Sequence, residues 1–138
     1  MRLKDRVAIV VGAGQSPGEG MGNGRATALT FAREGARVFC VDLKRAAAEE
    51  TVGLIEKECG RDSAVAFEAD SSRNADVKAL VDACLARWGR IDILDNNVGI
   101  GSQGGPVELG EDEWHRVFDV NVKSFFLTAK HVLPVMEK

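Results

Sequence analysis

Four short apolar runs, each followed by a stretch with helical spacing, restrict this chain to a small set of folds. Val7-Ala8-Ile9-Val10-Val11 has no polar residue and stops at Gly12. A strand wet on one face alternates apolar and polar residues, whereas a continuous apolar run is buried on both faces. Val38-Phe39-Cys40-Val41 is a second such run and ends at Asp42. Ala64-Val65-Ala66-Phe67 is a weaker third ending near Asp70, and Ile91-Asp92-Ile93-Leu94 is a fourth leading into Asn96-Asn97-Val98-Gly99. The intervening segments read as helices. Residues 24–34 close on Gly35, and residues 44–59 close on Gly60. Val77, Leu80, Val81, Cys84, Leu85 and Trp88 form one helical face stopped by Gly89. Residues 99–110 hold five glycines and Pro106 and read as a loop. Trp114, Val117, Phe118, Asn121, Val122, Phe125, Ala129, Val132, Leu133 and Met136 then predict a helix from Glu111 to about Met136. Pro134 is placed to bend or end its last turn.

Strands separated by helices need crossover connections, so the sheet is parallel with helices on both faces. Right-handed crossovers predict a doubly wound, Rossmann-like α/β fold of about four βα units, strand order 3-2-1-4. Its 138 residues form one domain. The sheet is expected to be incomplete, truncated before a fifth strand, because a fourth strand of this composition makes a hydrophobic edge.

Composition excludes several classes. Hydrophobic residues are 45% and charged residues 28%, an ordinary globular balance. A net charge of −3 carries no nucleic-acid footprint. The first apolar run, Val7 to Val11, is too short for a secretory leader or a membrane span. Cys40, Cys59 and Cys84 are odd in number and lack metal-ligand spacing, so they read as buried or idle thiols, and no metal site is expected. These features suggest a soluble protein of the reducing cytoplasm.

Between the first strand and the first helix, residues 12–24 contain six glycines. Such a turn lets backbone approach a ligand closely, and the helix behind it presents free N–H groups and a positive dipole end. That is a seat for a pyrophosphate. Asp42, at the end of the second strand, is placed to accept hydrogen bonds from the adenosine ribose hydroxyls. No Gly-Lys-Ser/Thr closes the loop, which sets aside the nucleoside-triphosphatase phosphate loop. A carboxylate at Asp42 would repel a 2′-phosphate and favours NAD over NADP. Lys44 and Arg45 pull the other way, or are solvated charges in a helix's first turn.

With these residues in place the chain resembles the short-chain dehydrogenase/reductase family. The family's Thr-Gly-x-x-x-Gly-x-Gly motif matches Gly12, Gly22 and Gly24, with Val11 in place of the threonine. Nine residues separate Gly12 from Gly22 where the family has three. That insertion, containing Pro17, leaves open which of Gln15, Ser16 and Asn23 meets the cofactor. Asp70 matches the acid beside the adenine ring, although an acid ahead of a helix also serves as an N-cap. Asn96-Asn97-Val98-Gly99 resembles the family's Asn-Asn-Ala-Gly. Its amides could instead tie strand ends together. Asn121 matches the helix asparagine that supports the catalytic lysine through a water. On an apolar face its amide needs partners, so it either stabilises a helix distortion or serves a site.

The resemblance implies an NAD(P)-dependent oxidoreductase moving hydride between the nicotinamide and a small alcohol or carbonyl substrate. The cofactor-lining set it implies is Gly12, Gly14, Gly22, Asn23, Gly24, Asp42, Leu43, Asp70, Ser71, Asn97, Val98 and Gly99. Asn121 is the one supporting catalytic residue. The family's tyrosine and its lysine partner are missing, since the chain contains no Tyr, and the match stops where the strand carrying the serine should begin. Neither His115 nor His131 fits as a substitute. The chain alone is therefore expected to be inactive, the cofactor-binding half of an enzyme. The alternative is a non-catalytic dinucleotide-binding or oligomerising module. In either case the resemblance implies a homo-oligomer through the 111–136 helix, with no nucleic-acid or membrane partner.

Overall fold

The computed structural model describes residues 1–138. Strand β1 (Val7–Val11) lies between β2 (Arg37–Asp42) and β4 (Ile93–Asn96), and β3 (Ala64–Glu68) pairs with the outer side of β2. All three pairings are parallel, giving the order β3-β2-β1-β4 expected from the alternation. Every residue of β1 is buried, as its continuous apolar run requires.

The pleat of β1 divides the core in two. Val7, Ile9 and Val11 join Phe39 and Val41 against α3 (Asn74–Trp88), through Val77, Leu80 and Cys84, and against α5 (Ser124–Met136), through Leu127 and Val132. Val10, Val38 and Cys40 pack on the other face against Ala28, Leu29 and Ala32 of α1 (Asn23–Arg33) and Ile55 of α2 (Arg45–Cys59). Helices on both faces of one parallel sheet make the doubly wound arrangement. Gly89 ends α3 in the left-handed region at φ +72°, where its N–H reaches the Leu85 carbonyl at 2.8 Å.

Three local expectations need correction. The fourth strand begins at Ile93, two residues later than the apolar run suggests. Asp92 explains the shift: its carboxylate accepts the Val7 N–H at 2.9 Å while its own N–H donates to the Val7 carbonyl at 2.8 Å. Asp92 thus joins β1 through one backbone bond and its own side chain, just ahead of the regular pairing that starts at Ile93. The helix expected over 111–136 is broken into α4 (Glu111–Phe118), a π-helical turn over Asp119–Lys123, and α5. Pro134 does not end α5, which continues to Met136; the ring only leaves one carbonyl of the preceding turn without its usual N–H donor. All three cysteines are free: Cys40 and Cys84 are buried, and burial pushes both thiols up to about 12, while Cys59 is exposed at the end of α2.

No helix is long and apolar enough to cross a membrane, and no group of His, Cys, Asp and Glu side chains is arranged to hold a metal ion.

Candidate cofactor site

Because the four strands are parallel, their C-terminal ends share one edge of the sheet. Val11, Asp42, Glu68 and Asn96 close the strands there, and the loops that follow carry the expected site residues. Ligands of open α/β sheets bind outside this edge, where the chain order reverses between β1 and β4.

The glycine loop is built more by contacts within the protein than by openness. A Cβ on Gly24 would lie 1.8 Å from the Gly12 carbonyl oxygen and 2.8 Å from Asn97 Nδ2, so only glycine lets α1 sit this close to the ends of β1 and β4. Gly12 adopts φ +84°, and a Cβ there would meet the Asn97 carbonyl at 3.0 Å. At Gly14 a Cβ would lie 2.7 Å from Asp42 Oδ2; instead its N–H donates to that oxygen at 3.0 Å. Gly22 differs, having only Gln15 Cγ nearby at 3.8 Å. Gly12, Gly14 and Gly24 thus serve packing within the chain, and Gly22 keeps open space beside it.

Gly22 is also the N-cap of α1 and has no side chain to cap with. A Ser or Asp there would consume an amide of the first turn. Instead the Gly22 carbonyl accepts the Ala26 N–H at 3.0 Å, and the amides of Asn23, Gly24 and Arg25 make no hydrogen bond in the protein. Three convergent donors at a helix's positive end are the chemistry a pyrophosphate requires.

Asp42 is half-buried. Besides Gly14, its carboxylate accepts the Lys44 N–H at 2.9 Å, so two backbone amides orient it at the strand end. Leu43 beside it is exposed. The Ala69 N–H donates to the Asp42 carbonyl at 3.1 Å, which carries Asp70 to the same edge. Asp70 does not cap α3. Its Oδ1 accepts the Ser72 N–H at 2.9 Å and the Ser72 hydroxyl at 2.6 Å, an Asx turn, and α3 starts at Asn74 without a side-chain cap. Ser71 is buried.

Around β4 the two asparagines divide the work. Asn96 Oδ1 lies 3.0 Å from the Thr128 hydroxyl and ties the strand end to α5, whereas Asn97 donates its backbone N–H to the Val11 carbonyl at 2.9 Å. Val98 packs against the core and Gly99 is exposed. Asn121 sits inside the π-helical turn. Its Oδ1 accepts the Ile100 N–H and its Nδ2 donates to the Ile100 carbonyl, both at 2.8 Å. The amide therefore both occupies a helix distortion and holds the loop after Gly99 in place. π turns of this length are common at functional sites.

Two supports were not apparent in the sequence. Thr51, fully buried on α2, donates to the Ala13 carbonyl at 2.9 Å and accepts from Arg25 Nε at 3.0 Å, fixing the glycine loop from beneath. The available signal is a threonine on the apolar face formed by Ala48 and Ile55. The second is Gln15, whose side chain bridges the inserted residues. The histidines lie elsewhere: His131 meets Asn74 at 2.8 Å and His115 is exposed beside Glu111, 3.5 Å away.

Known proteins are similar to this chain in sequence and in fold. The family model for short chain dehydrogenase matches residues 6–138. An uncharacterized oxidoreductase of Bacillus subtilis, YxbG, is 39% identical over 98% of this chain and 47% of its own length. The 7alpha-hydroxysteroid dehydrogenase of Escherichia coli is 35% identical over all of this chain and 51% of its own. The crystal structure of 3-ketoacyl-(acyl-carrier-protein) reductase from Brucella melitensis, complexed with NADH, superposes with a TM-score of 0.86 at 37% identity. That superposition covers 96% of this chain and 51% of the other. The chain thus spans about half the length of the curated relatives it matches. Sheet order, glycine loop and these likenesses agree, and the chain belongs to the short-chain dehydrogenase/reductase family.

Proposed function

We propose that this chain is the cofactor-binding half of an NAD-dependent oxidoreductase acting on a small alcohol or carbonyl compound. The observation that carries the reading is the set of three unpaired amides opening α1, on the same sheet edge as the Asp42 carboxylate. The amides of Asn23, Gly24 and Arg25 would hold the pyrophosphate, with Gly12, Gly14 and Gly22 shaping the turn. Asp42 would accept the adenosine ribose hydroxyls beside Leu43. Asp70 and Ser71 would border the adenine, and Asn97, Val98 and Gly99 the second ribose. When bound, the nicotinamide supplies the hydride acceptor or donor.

NAD is favoured over NADP because the Asp42 carboxylate repels a 2′-phosphate. Lys44 and Arg45 pull the other way, Arg45 from an exposed pair with Glu49 at 2.8 Å. Asn121 acts through the loop it holds and is a positioning residue for the nicotinamide end. With no Tyr in its 138 residues, the chain lacks the family's acid/base group and is expected to bind without turning over. The absence of Tyr favours a second reading, a non-catalytic dinucleotide-binding module. The exposed apolar side of α4 and α5, including Phe118, Phe126 and Leu133, would meet a second copy of the chain. A cytoplasmic setting suits its exposed free Cys59.

Titration with NADH and NADPH tests the proposal. NADH is expected to bind more tightly, and a carbonyl panel should give no NADH oxidation by these 138 residues alone. Tighter binding of NADPH would remove Asp42 from the ribose. Turnover by these residues would end the half-enzyme reading.

A further inference from the structure

The stretch between Gly12 and Gly22 is where this chain departs most from its family's spacing, and one side chain organises it. Gln15 Nε2 donates to the Gly20 carbonyl at 2.6 Å, and Gln15 Oε1 accepts the Gly22 N–H at 3.0 Å. Gly18 and Gly20 have φ of +154° and +88°, and an added Cβ at either would find no atom within 4 Å. No neighbouring element therefore holds the middle of the loop. A three-residue link is fixed by its own shortness. A nine-residue link rich in glycine is not, and its ordering must be supplied from somewhere.

We propose that Gln15 is a positioning residue for the dinucleotide: an internal brace that fixes Gly22, and with it the first-turn amides of α1, while holding the inserted residues in a closed turn. The inference rests on the cofactor reading above. Its physical content is preorganisation. Gly22 is the residue at which α1 begins, so anchoring its N–H sets where the amides of Asn23, Gly24 and Arg25 stand. Anchoring the Gly20 carbonyl at the same time gives that acceptor a partner within the loop. Without the brace, each binding event must first order the loop, and that cost falls on cofactor affinity. It does not fall on the chemical step once cofactor is bound.

The test uses the protein in its longest encoded form and follows NADH binding by fluorescence titration. Gln15→Met keeps the side chain's length and removes both hydrogen bonds. It is expected to weaken NADH binding about five- to tenfold, the loss of one to two ordinary hydrogen bonds, with the unfolding midpoint unchanged. Where the protein turns over, cofactor KM should rise by the same factor with kcat unchanged at saturation. Gln15→Glu retains the acceptor for Gly22 but loses the donor and adds a negative charge beside the phosphate seat. It should bind more weakly still, with the extra loss reduced by salt. Wild-type binding together with equal binding by Gln15→Met overturns the role of Gln15 alone. A kcat that falls with KM unchanged overturns it as well. A wild type that binds neither NADH nor NADPH overturns the cofactor reading and this inference together.

Discussion

The β1–α1–β2 unit and the α4–α5 segment are both rich in apolar residues, yet they use them in opposite ways. In the first, all of β1 is buried and α1 buries Ala28, Leu29 and Ala32 against the sheet. In the second, α4 buries nothing, and Trp114, Phe118, Val122, Phe125, Phe126 and Leu133 are all exposed. Trp114 and Phe118 stack on one another at 4.2 Å without reaching the core. Only Ser124, Leu127, Thr128 and Val132 of α5 are buried. The first unit is thus packed within the chain up to the strand ends, whereas the last helices present an apolar surface that the chain leaves uncovered.

That contrast is broken most severely at Gly24. Valine there has no room, because its Cβ would collide with the Gly12 carbonyl, a backbone atom that cannot swing aside. The expected cost is about 3 kcal/mol of stability, the upper end for overpacking, read by chemical denaturation, with NADH binding lost alongside. A variant of wild-type stability would show that α1 is free to move off β1. Next in size is Asp42→Ala. If the carboxylate accepts the ribose hydroxyls as proposed, its removal should weaken NADH binding about tenfold or more, and NADPH binding much less. Equal losses for the two cofactors would remove Asp42 from the ribose.

Asp92 provides a milder test of the same well-packed region. The Arg90 guanidinium beside it, joined by the Val7 amide and Arg6, holds its carboxyl down at about 2. A depressed folded pKa means that the stability contributed by Asp92 is fully present above its unfolded value near 3.8 and is lost as pH falls toward about 2. Denaturation midpoints followed from pH 5 downward should therefore decline more steeply in the wild type than in Asp92→Asn, and above pH 5 the variant should be less stable by about 1 kcal/mol. Parallel curves would show that the carboxylate does not anchor β4 to β1.

The strands, their order and the C-terminal edge were legible because each rests on local periodicity and on the geometry of parallel crossovers. What escaped depended on side chains meeting backbone far away in sequence. Asp92 reaches Val7, so the apolar run gave the wrong start for β4. Thr51 reaches Ala13 and Gln15 reaches across its own loop, and no spacing rule marks either contact. The π-helical turn stayed hidden because the apolar stripe passes through it without a change of period; only the polar Asn121 hinted at a distortion. Among the glycines the residue type was readable but its reason was not. Gly24 and Gly14 are needed by the protein's own contacts, with Gly12 and Asp42 respectively, as much as by any ligand.

The smallest effect on stability is expected at the uncovered surface, where it is also the most informative. Phe126 on α5 is 62% exposed, so Phe126→Glu removes little burial and should change the stability of the isolated chain by no more than about 0.5 kcal/mol. If the face meets a second copy, the same charge must be desolvated in the contact, and self-association should fall sharply. Light scattering across a concentration series separates the two quantities. Loss of association with an unchanged unfolding midpoint places the function of this apolar surface between chains. A large loss of stability in a monomer would mean instead that Phe126 is covered within the chain, and the contrast between the two regions would disappear.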